Sequence, residues 1–188
     1  MPTENHQDVV ELLTAQHEQI KDLFAHLKSG NGDKQQLFAE LVRLLSVHES
    51  AEEEVVHPIA ARAQFGADHL VAERLEEEND AKQALAELYS LGVDHPAFDT
   101  KLAAFAEAVT EHATHEENEE FSLLRRQYSA TQLEHMAGSV RAAEAIAPTR
   151  PHPHAGESAL ANVLTGPPLA LFDRARDAVR AWHRKDGK

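Results

Sequence analysis

Apolar residues recur at the i, i+3, i+4, i+7 spacing of an amphipathic helix through most of the first 130 positions, and strand-like alternation does not appear. The spacing predicts four long helices separated by turns that carry glycine or proline. The first runs from about Asp8 to Lys28, with Val9, Leu12, Leu13, Gln16, His17, Ile20, Leu23, Phe24 and Leu27 on its inner face. The second runs from about Lys34 to Arg62, and Pro58 near its end removes a backbone donor and is expected to kink it. The third ends near Leu91 and Gly92, and the fourth follows a turn at residues 92–96 and ends near Tyr128. Connections this short make neighbours antiparallel, so the expected fold class is all-α, an up-down-up-down four-helix bundle over residues 1–128.

The remaining residues, 129–188, read as a C-terminal helical extension. Residues 130–147 form a fifth, Ala-rich helical pattern with Leu133, Met136, Val140 and Ala143 on one face. A Pro/His-rich link at 148–154 cannot be helical, because a residue before proline is pushed to extended backbone. A last amphipathic stretch at about 168–184 carries Leu169, Leu171, Phe172, Ala175 and Val179 and is expected to pack outside the bundle.

Two ionisable pairs interrupt the apolar stripes. In the second helix the inner face reads Leu37, Leu41, Leu44, Leu45, His48, Glu52, Val55, Val56 and Ile59. In the fourth it reads Phe98, Leu102, Phe105, Val109, His112, Glu116, Leu123 and Leu124. Both interruptions have the form His-x3-Glu-Glu, and residues i and i+4 share a helix face, so each helix offers an imidazole and a carboxylate to the interior. An unpaired buried carboxylate costs several kcal/mol, so a cation, a salt bridge or a proton has to compensate it.

Composition narrows the choice. The chain of 188 residues has no cysteine, which removes disulfides and thiolate metal sites and leaves nitrogen and oxygen donors, while its thirteen histidines are an unusual number. A formal charge of −14 argues against nucleic acid or an anionic membrane as partner. No apolar run is long enough to span a bilayer and no secretory signal is evident, so a cytoplasmic location is expected.

With His17 in QHEQIKDLF, His48 and Glu52, and His112 and Glu116 in EHATHEENEEF, the chain resembles the hemerythrin-like, or HHE cation-binding, proteins from about Val9 to Arg126. The resemblance implies a non-haem centre of two iron ions, oxo- or hydroxo-bridged and joined by two carboxylates, that reacts with dioxygen, peroxide or nitric oxide. It leaves open whether the protein is an enzyme, such as a catalase-like one, or a sensor, carrier or iron-binding protein acting through an unknown protein partner. The competing ferritin-like site needs Glu-x-x-His on two helices, and here only Glu54 and His57 have that spacing. At 100° per residue His57 lies about 140° round the helix from Glu52, so it is expected to point away from the site.

The third helix departs from the family pattern, which places a histidine there. On the same helical geometry Glu78 misses the direction of Val71, Leu75, Ala81, Leu85 and Leu88 by only about 20°, whereas Asn79 is about 120° away and His69 further. Glu78 is therefore expected to replace the imidazole, giving the metal set His17, His48, Glu52, Glu78, His112 and Glu116. An anionic ligand in place of a neutral one favours ferric over ferrous iron and weakens reversible oxygen binding. The bland reading of residues 76–78 is a solvated charge run, in which Glu77 is also exposed. His115 and Glu119 read as exposed, His152 and His154 as solvated, and Tyr89 and Tyr128 as either packing or neighbours of the site.

Overall fold

The computed structural model describes residues 7–147, and every regular element among them is helical. Helix α1 is Val9–Ser29. Helix α2 covers residues 34–60 and is built from an α-helical stretch Lys34–Ala51, a π turn Glu52–Val56 and a last α turn His57–Ala60. Helix α3 is Ala67–Leu91. Helix α4 covers residues 98–127, with α-helical Phe98–His115, a π turn Glu116–Glu120 and α-helical Phe121–Gln127. Helix α5 is Ala130–Ile146. The bounds expected from the sequence hold to within two residues, and the amphipathic stretch at 168–184 with its Pro/His-rich link lies outside the described residues.

Local chemistry sets the ends. Asp8 and Glu11 form a reciprocal capping box at the start of α1, with the Glu11 N–H donating to Asp8 Oδ1 at 2.9 Å. Gly30 closes the same helix at φ +70°, a left-handed conformation that a side chain would disfavour. Asp33 caps α2 and Ser129 caps α5, the latter again in a box with Gln132.

Within the bundle α1 packs against α2 and α4, and α3 against α2 and α4, as the antiparallel arrangement requires. Their apolar faces form two separate clusters. One holds Ile20, Phe24, Leu27, Phe38, Leu41, Leu45, Leu85, Leu88, Phe98, Leu102, Phe105 and Val109. The other holds Val9, Leu13, Val56, Ala60, Val71, Phe121 and Leu124, and α5 adds Leu133, Met136, Ala137 and Val140 to it. Between them every helix of the bundle turns polar inside: His17 on α1, His48 and Glu52 on α2, Arg74 and Glu78 on α3, and His112 and Glu116 on α4 are all buried. A polar slab thus divides the core, enclosed by apolar layers on both sides.

Pro58 does not simply kink α2. The turn before it is widened, and the His57 N–H donates to Glu52 O in the i to i+5 pattern of a π turn. The Phe121 N–H donates to Glu116 O in the same way. The π turn in α4 contains no proline, so proline is not the shared cause. Both turns begin at the carboxylate of an His-x3-Glu pair.

Candidate metal centre

The structure brings all six expected residues together. His17, His48, Glu52 and Glu116 offer ligand atoms within 4.8 Å of one another, as do Glu78, His112 and Glu116, so Glu116 belongs to both groups. Glu52, Glu78 and Glu116 are fully buried. Helix α3 runs without interruption from Ala67 to Leu91, which is why simple helical phase places Glu78 correctly in the interior rather than in a solvated charge run.

His57 contradicts the expectation that it points outward. It is buried, with Nε2 2.5 Å from Glu78 Oε1 and Nδ1 2.9 Å from Glu120 Oε1. In a π turn residue i+5 takes the place that i+4 has in an α turn, so His57 stands to Glu52 roughly as Glu52 stands to His48. The offset of about 140° assumed an unbroken α-helix. Glu120, which helical phase also missed, closes a third group with His57 and Glu116. Phe121 holds the position in α4 that His57 holds in α2, and its ring stacks on His17 with centroids 5.7 Å apart.

Each histidine is oriented by a partner on its outer nitrogen. Gln16 donates through Nε2 to Glu144 at 2.5 Å, which turns its oxygen toward His48, so the His48 Nδ1–H donates to it at 2.7 Å. The His17 Nδ1–H donates to Glu117 at 2.8 Å and the His112 Nδ1–H to Glu77 at 2.9 Å. A hydrogen on Nδ1 leaves the Nε2 lone pair facing the interior, the arrangement that metal-ligating histidines have. Glu77 is therefore not a free surface charge: it also accepts from the Nδ1–H of half-buried His115 at 2.9 Å and from Arg74 at 3.0 Å. Neither tyrosine reaches the site, since the Tyr128 hydroxyl donates to Ile59 O and Tyr89 packs against the distal apolar cluster.

The donor set fits a cation and is uncomfortable without one. Nε2 of His17 and Nε2 of His48 lie 3.1 Å apart, both turned to the interior. That is close to the separation of about 3.0 Å expected for two nitrogens at right angles about 2.1 Å from one metal. Both oxygens of Glu52, both of Glu116, Glu78 Oε2 and His112 Nε2 are buried without a well-formed hydrogen bond, and the nearest groups to the Glu52 and Glu116 oxygens are the imidazoles themselves, His48 Nε2 at 3.1 Å from Glu52 Oε2 and His17 Nε2 at 3.2 Å from Glu116 Oε2. Native cores rarely leave such atoms unsatisfied. The titration of the group carries the same conflict. Burial, with His17 nearby, pushes His48 down to about 3. Burial, then Glu116 and Glu78, pushes Glu52 well above the carboxylate range. Burial acts against Glu116 too, yet the adjacent His112 and His17 hold it down at about 2. Neutral imidazole and carboxylate donors without thiolate suit iron or manganese.

Cavities border the centre on more than one side. A narrow cavity of about 20 Å³ is bounded by the centre's His17, His48 and His112 and by Ile20, Leu45, Ala81 and Val109. A wider groove between α3 and α4 runs from Leu88 and Lys101 to His112 and His115.

Comparison with known proteins agrees with this geometry. The model of the hemerythrin HHE cation-binding domain matches residues 8–124, and the chain belongs to that family. Among solved structures it is similar to a hemerythrin HHE cation-binding domain-containing protein from Mycobacterium kansasii, with a TM-score of 0.64 and 22% identity over 73% of this chain and 85% of that one. Among curated proteins it is 28% identical over 142 residues to a DNA nickase of Nostoc sp. (strain PCC 7120 / SAG 25.82 / UTEX 2576). That match takes in 74% of this chain but 39% of the relative, so the chain spans well under half of that protein's length. The protein is thus a metal-binding, hemerythrin-like helical bundle, and among the described residues no helix is long and apolar enough to cross a membrane.

Proposed function

We propose that this chain holds two iron ions and acts on a small oxidant, with peroxide disproportionation the favoured reaction and dioxygen and nitric oxide as related ligands. His17 and His48 would hold one ion, Glu78 and His112 the other, with Glu52 and Glu116 shared. The observation that carries this reading is the set of buried carboxylate oxygens that converge with three inward Nε2 atoms and have few partners other than them. Bound there, iron supplies a redox couple and open coordination positions, so that two molecules of peroxide leave as two of water and one of dioxygen.

The chain's own residues set the selectivity. The apolar clusters above and below the slab exclude bulk water. The cavity beside His17, His48 and His112 is about 20 Å³. A cavity needs roughly 10–15 Å³ to admit one water, so this one has room for a single water-sized molecule beside the three imidazoles. Glu78 puts a negative donor where the family has an imidazole, which favours the ferric state and disfavours reversible oxygen carriage. Glu77, Glu117 and Gln16 hold the imidazole tautomers that this requires.

The name of the Nostoc relative raises DNA cleavage as another use of bound metal. A formal charge of −14 works against holding a polyanion, so DNA is not the substrate proposed here.

The test is metal analysis of the purified protein followed by oxygen-evolution assays with hydrogen peroxide. Two irons per chain and evolution of oxygen at half the rate of peroxide loss support the reading. An iron-loaded protein that binds oxygen or nitric oxide but leaves peroxide intact is a carrier or sensor, and a protein that takes up no iron refutes the reading altogether.

A further inference from the structure

We propose that His57 is a metal ligand, and that α2 rather than α3 supplies the second imidazole of the ion held by His112 and Glu78. The inference rests on the two-iron reading above. In the family pattern that imidazole comes from the third helix, and the described part of α3 presents Glu78 instead, with Arg74 and Lys82 one turn to either side.

Three observations point to His57. Its position is built by the π turn Glu52–Val56, which rotates it into the core beside the carboxylates. It faces Glu78 Oε1 from 2.5 Å, and His112 Nε2 faces the same oxygen from 4.0 Å, so the two imidazoles converge on one donor atom. Its outer nitrogen is held as those of the other three are: Nδ1 of His17, His48 and His112 meet Glu117, Gln16 and Glu77, and Nδ1 of His57 meets Glu120 at 2.9 Å. Glu120 is fully buried and keeps Oε2 without a partner.

The alternative is a buried Glu78–His57–Glu120 ion network with no metal contact. Such networks barely repay the cost of stripping water from their charges. That account also leaves Glu78 Oε2 and His112 Nε2 without a hydrogen bond, with only the longer contacts to Lys82 Nζ at 3.7 Å and Glu116 Oε2 at 3.5 Å. With His57 as ligand the two positions carry two imidazoles each. Each takes one imidazole from an His-x3-Glu pair and a second from outside it, His17 for the first and His57 for the second. The repeat-equivalent residue Phe121 needs no such role, because the imidazole it stacks on already serves its position.

The test reads the ligands rather than turnover. Every iron-bound imidazole here has a buried Nδ1–H held by an acceptor, so each gives a slowly exchanging, strongly hyperfine-shifted proton resonance in the ferrous protein. The iron-loaded wild type is expected to show four, from His17, His48, His57 and His112. His57→Gln is expected to lose one of them and to bind the second iron at least tenfold more weakly. In His57→Gly, added imidazole is expected to restore the second iron. Two irons with only three shifted resonances in the wild type overturn the inference while leaving the two-iron reading intact, and this result does not depend on any variant folding. A wild type that binds no iron overturns both.

Discussion

Replacing Glu52 by leucine should change stability in opposite directions with and without metal. Glu52 is fully buried, and neither of its oxygens has a hydrogen-bond partner. Leaving a buried polar group unsatisfied costs about 1–3 kcal/mol, and replacing buried charged groups by apolar side chains of similar size often gains about 1–4 kcal/mol. Leucine also adds bulk next to His48, and misfit of that kind costs about 1 kcal/mol or more. The metal-free variant should therefore be about 1–2 kcal/mol more stable than the metal-free wild type. For a domain of this size that is a rise in melting temperature of roughly 3–8 °C.

The gain should grow with pH. Burial, reinforced by Glu116 and Glu78, raises the folded-state pKa of Glu52. The folded chain therefore binds more protons than the unfolded one above the ordinary carboxylate range, and this contribution to stability is lost as pH rises. Leucine escapes that loss. Iron reverses the order: a ligand at a hundred times its dissociation constant stabilises the wild type by about 2.7 kcal/mol per site, and the variant forgoes most of that. The assay is thermal unfolding by circular dichroism, after chelation and again after anaerobic iron loading, at pH 6 and pH 8. If the metal-free variant melts below the metal-free wild type at both pH values, the protein itself satisfies Glu52, and the argument for a cation fails.

Other perturbations separate the parts of the centre. Glu77→Ala removes the acceptor of the His112 and His115 Nδ1–H groups, so metal affinity in a competition titration should fall by about 10–100-fold, and unchanged affinity would make Glu77 a mere surface charge. Glu78→Ala should lower iron content, and Glu78→His should keep iron while raising the reduction potential, because a neutral donor replaces an anion. A potential that stays the same or falls would place Glu78 outside the coordination shell. Burial disfavours the protonated His17, but Glu116 and Glu117 outweigh it and raise its pKa. Iron must displace that proton and the one on Glu52, so apparent affinity should drop as pH falls, by about tenfold per pH unit for each proton displaced. Binding that is flat from pH 7.5 to 5.5 would contradict this.

The bundle was readable because its signal is long-range and redundant: four periodic stretches joined by short turns leave little freedom in the packing. The same regularity carried the candidate ligands on uninterrupted helix. His48 and Glu52, His112 and Glu116, and Glu78 all lie where counting at 100° per residue keeps its meaning. The residues that orient them were not readable. Glu77 and Glu117 are partly exposed and act across to a different helix, so along the chain they look like any solvated glutamate of an acidic protein.

Helical phase fails at one physical event, the extra residue in each π turn. From Glu52 to His57 the count of 100° per residue overstates the rotation, and a buried histidine appears to face solvent. A trace of the event is nevertheless present in α4. Phe121 is fully buried although it stands five residues after Glu116, off the stripe that an unbroken helix would draw. A large apolar residue out of phase in an otherwise regular pattern is costly to expose, so it marks a ladder that has gained a residue. Because the two His-x3-Glu segments are alike, the same gain carries over to α2, where the residue five after the glutamate is His57. Read this way, the out-of-phase phenylalanine of one repeat locates the hidden imidazole of the other.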